Sequence, residues 1–338
     1  MNLDQCVARL LDLLTPEVQQ RFAEEPLLAL REDLKLNVAP IEYPPDTRRQ
    51  GGACDGTSFI EDGVILYVST PYNRRENFTL GHELGHWLIP QSDEVMEWIV
   101  EQDHAEQLVE TVCDRVAQRL LLPPASIASV VGRPPVRAAH IIELFDRTQA
   151  SRPVCAIAIA TRLPHVGAVA LIDRAEGKVL FASVRPDPEE GWPLVVPWKG
   201  QLLPAGHRLA SLNAGVSVTG KMFWKDQWDR RAEYYVDAVS DHRRITAVFS
   251  DIDLWDCESL HLDGTRDFDQ RPTATIHCCG STRTVRGYPC PECNEQFCPE
   301  CGRCRCQRRA AREQACHGCL LRFQAHLVVG GLCEECRS

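Results

Sequence analysis

The chain has 338 residues, 44% of them hydrophobic and 25% charged, which excludes wholesale disorder and a fibrous protein and leaves room for two or three domains. Its formal net charge of −10, from 37 basic and 47 acidic residues, argues against a non-specific nucleic-acid binder. Seventeen cysteines are many for a reducing compartment, and they are uneven: ten fall between Cys290 and Cys336, against five before residue 270.

Taken in chain order, residues 3–14 and 16–34 predict two amphipathic helices. Leu3, Val7, Leu10, Leu11 and Leu14 repeat at helical spacing, and Thr15-Pro16 suits a helix start. The N-terminus has neither a basic region nor a small-residue cleavage site, so no secretory signal and a cytoplasmic location are expected. No apolar run reaches the roughly 18 residues that a membrane helix needs. Residues 38–63 read as loop with short strands, and the β-branched run Val64–Val68 as a strand. Residues 75–89 predict a helix ended by Pro90. Another runs from about Asp103 to Leu122 and stops at Pro123-Pro124, with an apolar stripe of Val109, Val112, Cys113, Val116, Ala117, Leu120 and Leu121. Residues 125–163 read as helical. From Val166 the pattern changes: Gly167–Ile172 with Lys178–Val184, and Glu233–Val239 with Ile245–Ser250, predict two β-hairpins.

His82-Glu83-Leu84-Gly85-His86 is an HExxH on a predicted helix. Residues i and i+4 share a helix face, so both imidazoles reach one metal ion. Glu83 is placed to take a proton from a water that zinc acidifies to a pKa of about 7, chemistry suited to peptide hydrolysis. The flanks Phe78-Thr79-Leu80 and Trp87-Leu88-Ile89 predict a buried helix. A catalytic zinc needs a third protein ligand and an open position. Glu110 suits it, with Asp114 one turn on to hydrogen-bond a ligating histidine. Glu106, Asp103 and His104 compete, and spacing alone leaves Glu110 open between ligand and solvated helix acid. Tyr67, Tyr72, His104 and Arg115 are the choices for stabilising an oxyanion, and none stands out.

The segment FTLGHELGHWLI, followed by the helix from Glu110 to Pro123, resembles the ImmA/IrrE family of metallo-endopeptidases over roughly residues 1–163. The family's second helix reads E-x-x-A-N-x-F-A-x-x-L-L-M-P; here Cys113 replaces its Ala, Asp114 its Asn, Val116 its Phe and Leu122 its Met. The resemblance implies His82, His86 and Glu110 as ligands of a catalytic zinc, Glu83 as general base, and cleavage of a helix-turn-helix repressor as the regulatory output. The strand Val64–Val68, just before the catalytic helix, is expected to offer an edge to an extended substrate. Relatives often carry a helix-turn-helix after the peptidase core. Residues 137–162 have that length, yet Ala156-Ile-Ala-Ile-Ala160 is apolar where a DNA-reading face is polar and basic, so packing helices are expected. Larger relatives append a sensor, which the resemblance suggests for residues 164–270. The tryptophans there, Trp192, Trp198, Trp224, Trp228 and Trp255, read first as core.

The tail carries Cys290/Cys293, Cys298/Cys301, Cys304/Cys306, Cys316/Cys319 and Cys333/Cys336. Two CxxC knuckles complete a tetrahedral zinc, and Cys316/Cys319 with Cys333/Cys336 is close to zinc-ribbon spacing. In the first half six cysteines offer more donors than one site needs, and sequential and interleaved pairings both stand. His277, Cys278, Cys279 and His317 are extra donors. About two structural zinc ions are expected, with three as the upper count. Nine arginines and six acids give residues 280–338 a formal +3, which two sites of about −2 each would cancel. A protein-binding or structural role is therefore favoured over a broad DNA grip, although Arg303, Arg305, Arg308, Arg309 and Arg312 cluster.

The sequence thus predicts an α+β chain: an α-rich HExxH metallopeptidase domain at 1–124, a helical segment at 125–163, an α+β module at 164–270 and a zinc-ribbon-like tail at 271–338. The expected activity is a zinc endopeptidase with one catalytic zinc, acting on a protein substrate and not at a membrane. The rival reading is a non-catalytic regulator whose tail binds a protein or nucleic acid.

Overall fold

A computed structural model describes residues 1–41, 56–59, 62–70, 74–102, 104–132, 135–258, 269–319 and 321–337. They form two compact units, residues 1–269 and 270–337, in a mixed α+β architecture.

The first unit opens with α1 (Leu3–Leu11), capped by Asn2, and α2 (Pro16–Glu24), capped by Thr15. The helix expected over 16–34 breaks at Pro26. Its ring restricts Glu25 to a non-helical conformation (φ −140°, ψ 71°), and the chain resumes as α3 (Pro26–Leu28) and a π turn over Ala29–Asp33. Strands β1 (Asn37–Ile41), β2 (Gly56–Phe59) and β3 (Val64–Val68) form a sheet of order β1-β3-β2. Here the structure corrects the expected substrate edge. β3 is the central strand, parallel to β1 and antiparallel to β2, so both its sides are already paired. Alternating burial along β3 places Ile65 and Tyr67 in the core.

Next come α4 (Arg75–Leu88), α5 (Asp93–Val100) and α6 (Ala105–Leu121). Leu80, Leu84 and Leu88 of α4 are essentially fully buried, and so is the predicted stripe of α6 from Val112 to Leu121. The periodicity left 91–102 unassigned, and Ser92 caps a helix there by accepting from Val95 N. Helices α7 (Pro124–Val131), α8 (Ala138–Arg147) and α9 (Arg152–Ala160) follow. α9 buries Val154, Cys155, Ala156, Ile159 and Ala160 and packs on the strands that follow it, as its apolar sequence predicts.

Strands β4 (Gly167–Asp173), β5 (Val179–Arg185), β6 (Ser217–Lys225), β7 (Arg231–Ser240) and β8 (Arg244–Ser250) build an antiparallel sheet of order β5-β4-β8-β7-β6. Both predicted hairpins are present. β6 escaped the sequence reading because only Met222 and Trp224 are buried along it, and Gly220 and Lys221 break its apolar run. One face of the sheet, with Val169, Tyr235 and Val248, joins the helical core, while Ala168, Ala170, Val236 and Phe249 on the other face form a second core around Trp224. Trp224 and Trp255 are core residues, whereas Trp198 and Trp228 are exposed.

In the second unit β9 (Thr273–Cys278) and β10 (Ser281–Arg286) form a hairpin. Then come α10 (Arg305–Ala311), the short pair β11 (Glu313–Ala315) and β12 (Arg322–Gln324), and α11 (Glu334–Arg337). Among the described residues no helix is long and apolar enough to cross a membrane.

Candidate metal centre

α4 and α6 cross where neither has a large side chain. A Cβ built on Gly81 would lie 3.0 Å from Ala117 Cα, and one on Gly85 would lie 2.8 Å from Cys113 Cα. Two glycines at i and i+4 therefore let α4 press onto α6, and that approach carries Glu110 to the histidine face.

His82 Nε2 and His86 Nε2 lie 3.1 Å apart. Glu110 Oε2 is 3.4 Å from His82 Nε2, and its Oε1 is 3.5 Å from His86 Nε2. A tetrahedral ion with bonds of about 2.0–2.2 Å sets its ligand atoms about 3.3–3.6 Å apart, so this donor set fits zinc. His82 Nδ1 donates to Asp114 Oδ1 at 2.8 Å, which turns Nε2 toward the other donors, free to take a metal once its proton is displaced. The two imidazoles are 13% and 14% exposed and Glu110 51%, so the cluster has a buried floor and an open side. Glu83 is buried. Burial alone pulls the pKa of His82 down, but hydrogen bonds to Asp114 and Glu110, with the charges of Asp114 and Glu83, outweigh it and push the pKa up to about 9.

The competing residues fare differently. Among the described residues, His82, His86 and Glu110 group as a donor set and neither His104 nor Glu106 joins them. His104 precedes α6 in a left-handed conformation. Asp103 and Tyr72 lie outside the described residues. Tyr67 is buried in β3, and Arg115 lines a separate cavity with Val7, Ile127 and Val154.

The tail cysteines gather into three groups of four, each able to hold a metal: Cys278, Cys279, Cys298 and Cys301; Cys290, Cys293, Cys304 and Cys306; and Cys316, Cys319, Cys333 and Cys336. The expected ribbon pairing of the last group is present, and the first half is interleaved. Cys278 and Cys279, read from sequence as spare donors, complete a group of their own. The signal for them was the Cys-Cys-Gly turn at 278–280, which spacing rules for CxxC pairs pass over. At least one thiol in each group is drawn toward the thiolate, chiefly by backbone N–H donors. Cys298 is pulled down to about 7 by donors at Cys301 and Glu300, Cys293 to about 6 by those at Cys306 and Glu295, and Cys316 to about 6 by those at Cys319 and Cys333. The arginine cluster is partly neutralised: Arg305 and Arg308 pair with Glu295, and Arg309 with Glu313.

A buried HExxH helix whose histidines meet a glutamate from a second helix is an arrangement of the metalloprotease class. The comparisons agree. The radiation response metalloprotease IrrE of Deinococcus deserti is 28% identical over 210 residues, 59% of this chain and 75% of that protein. The protein of the same name from Deinococcus radiodurans is 31% identical over 113 residues, 32% of this chain and 34% of its own length, so the chain spans about a third of that relative. The resemblance to the ImmA/IrrE family, first seen in the two motif helices, is thereby upheld, and this chain carries a Cys-rich tail. No family model matches the sequence. A solved Mycobacterium tuberculosis transcriptional regulator aligns with 77% of this chain and 93% of its own at a TM-score of 0.42 and 15% identity, a likeness too distant to carry fold or function.

Proposed function

We propose that this chain is a zinc-dependent, site-specific endopeptidase that cleaves a regulatory protein, with a helix-turn-helix repressor as the expected substrate. The observation that carries the reading is the donor set of His82, His86 and Glu110, spaced at 3.1–3.5 Å and backed by Asp114. These three side chains would hold the ion and leave a position open. Bound there, zinc would polarise the scissile carbonyl and acidify a water.

The protein's own groups do the rest. Glu83 accepts the proton of the attacking water and returns it to the leaving amine nitrogen. It sits buried on α4, one residue from the first histidine. Asp114 holds His82 in the tautomer that presents Nε2. The open side at Glu110 admits the peptide. An extended substrate would add at β2, an edge strand among the described residues, which packs beside α4, in place of the fully paired β3. In the tail, the thiol groups take structural metal.

The test compares new protein N-termini in cells expressing the wild type and Glu83→Gln, at rest and under stress. The substitution keeps all three ligands. A small set of termini seen only with the wild type is expected, and it names the substrate. Matching sets from both proteins would overturn the peptidase reading and leave the tail's binding role as the function.

A further inference from the structure

We propose that the second unit binds three metal ions, not two, with a zinc site built on the adjacent cysteines Cys278 and Cys279 together with Cys298 and Cys301, cross-braced with the site at Cys290, Cys293, Cys304 and Cys306. Thiol spacing is the first argument. Cys278 Sγ lies 3.7 Å from Cys279 Sγ and 3.6 Å from Cys301 Sγ, and Cys279 Sγ lies 4.0 Å from Cys298 Sγ. Zinc–sulfur bonds of about 2.3 Å in a tetrahedron put the sulfurs about 3.8 Å apart.

The backbone gives an independent argument. Side chains of neighbouring strand residues point to opposite faces, so two adjacent cysteines do not ordinarily converge. Here Cys278 ends β9, and its partner across the hairpin is Ser281. The two residues between them, Cys279 and Gly280, both have positive φ, 54° and 73°. A two-residue hairpin turn of that kind strongly prefers Asn-Gly, Asp-Gly or Gly-Gly. Cysteine gains nothing as a turn former there. What the left-handed backbone achieves is to swing the Cys279 thiol onto the side of Cys278.

The opposing half is a built knuckle. In Cys298-Pro-Glu-Cys301-Gly302, Cys298 N donates to Arg303 O at 3.1 Å and Gly302 N to Cys298 O at 2.8 Å, with Gly302 at φ 67°. Cys290-Pro-Glu-Cys293-Asn294 repeats the pattern: Cys290 N to Glu295 O at 2.9 Å, Asn294 N to Cys290 O at 2.8 Å, and Asn294 at φ 52°. Two knuckles of one design serve two different sites. Along the chain the pairs 278/279, 290/293, 298/301 and 304/306 alternate in allegiance, first with third and second with fourth. Each site therefore closes a loop that contains half of the other. The site at Cys316, Cys319, Cys333 and Cys336 is sequential and stands apart.

The unit has little else to hold it. Its buried described residues are Ile276, Gln296 and five cysteines, Cys290, Cys298, Cys304, Cys316 and Cys333. Metal binding is then the folding energy of this unit, and loss of the Cys278–Cys279 site loosens its cross-braced partner.

The experiment counts zinc per full-length chain by inductively coupled plasma mass spectrometry, after purification under reducing conditions, in the wild type, in His82→Ala/His86→Ala, and in the latter with Cys278→Ser/Cys279→Ser added. Three equivalents are expected in His82→Ala/His86→Ala, falling to two or one when the serines are added. Two equivalents in His82→Ala/His86→Ala, or an unchanged count on adding the serines, would overturn the proposal, as would a Cys278–Cys279 disulfide found by mass spectrometry. The count in His82→Ala/His86→Ala needs no substitution in the tail, so a folding defect of the serine variant cannot decide the matter. If the wild type also carries three, the proposal holds and the catalytic-site reading fails instead.

Discussion

Gly85 and Cys113 meet where the two site-bearing helices come closest: a Cβ at residue 85 would sit 2.8 Å from Cys113 Cα and 3.1 Å from its Sγ. The first clash is with backbone, so shrinking the neighbour does not relieve it. Gly85→Ala should push α6 outward, destabilise the chain by about 1–3 kcal/mol and remove the metal held by His82, His86 and Glu110. Adding Cys113→Ala should not rescue it, whereas Cys113→Ala alone should keep the metal. Thermal melts with metal analysis check this, and a Gly85→Ala protein with full metal content would refute the packing argument.

Asp114 acts on the metal through His82. Asp114→Ala removes the acceptor 2.8 Å from Nδ1 and should weaken zinc binding at this site by about 10–100-fold. Asp114→Asn, the residue of the family pattern, keeps an acceptor oxygen and should lose far less. Zinc titrations against a competing chelator distinguish the two.

The pH dependence of metal loading follows from His82. In the metal-free chain burial lowers its pKa, and the bonds to Asp114 and Glu110 more than reverse this, to about 9. The ring is then protonated at neutral pH, and an incoming ion must displace the proton. Affinity should climb by about tenfold per pH unit between pH 7 and 9 from this proton alone, then flatten. The metal-free fold responds with the opposite sign. The protonated ring contributes stability present in full below about pH 6.5 and lost as pH rises through about 9. Titrations at three pH values test this, and a flat affinity would show that the ring of the metal-free chain is already neutral at pH 7.

Asp237 ties the central sheet to the helices. On β7 it accepts from Ala138 N at 2.7 Å, Arg137 Nη1 at 2.9 Å and Thr219 Oγ1 at 2.9 Å. Asp237→Ala strips the start of α8 of its acceptor and should cost about 2–4 kcal/mol, measured by chemical denaturation. Asp237→Asn retains an acceptor and should cost less. Equal losses would show that the charge, not the acceptor geometry, matters.

The local elements were legible because their signals are local. HExxH places two imidazoles on one helix face whatever surrounds it. The α6 stripe and the hairpins at 167–185 and 231–250 follow from periods of 3.6 and 2. The turn at 24–26 was missed because a single proline outweighed a continuing helical pattern. β6 was missed because only two of its nine residues, Met222 and Trp224, are buried and Gly220 breaks its apolar run.

By itself, then, the sequence determined the chemistry available: two histidines and a base on α4, an acid pair one turn apart on α6, and thiols in closely spaced pairs suited to metal. Only the tertiary structure decided which of these meet. Glu110 joins the histidines because Gly81 and Gly85 let two backbones touch, a property of two faces rather than of either helix. β3 became a central strand because β1 and β2 both pair with it from distant points in the chain. Cys278 and Cys279 became a donor pair because a hairpin turn with positive φ brings their thiols together and a knuckle twenty residues on completes the set. Spacing along a chain constrains neighbours within one element. Contact between elements depends on close approach, which the whole fold must agree upon.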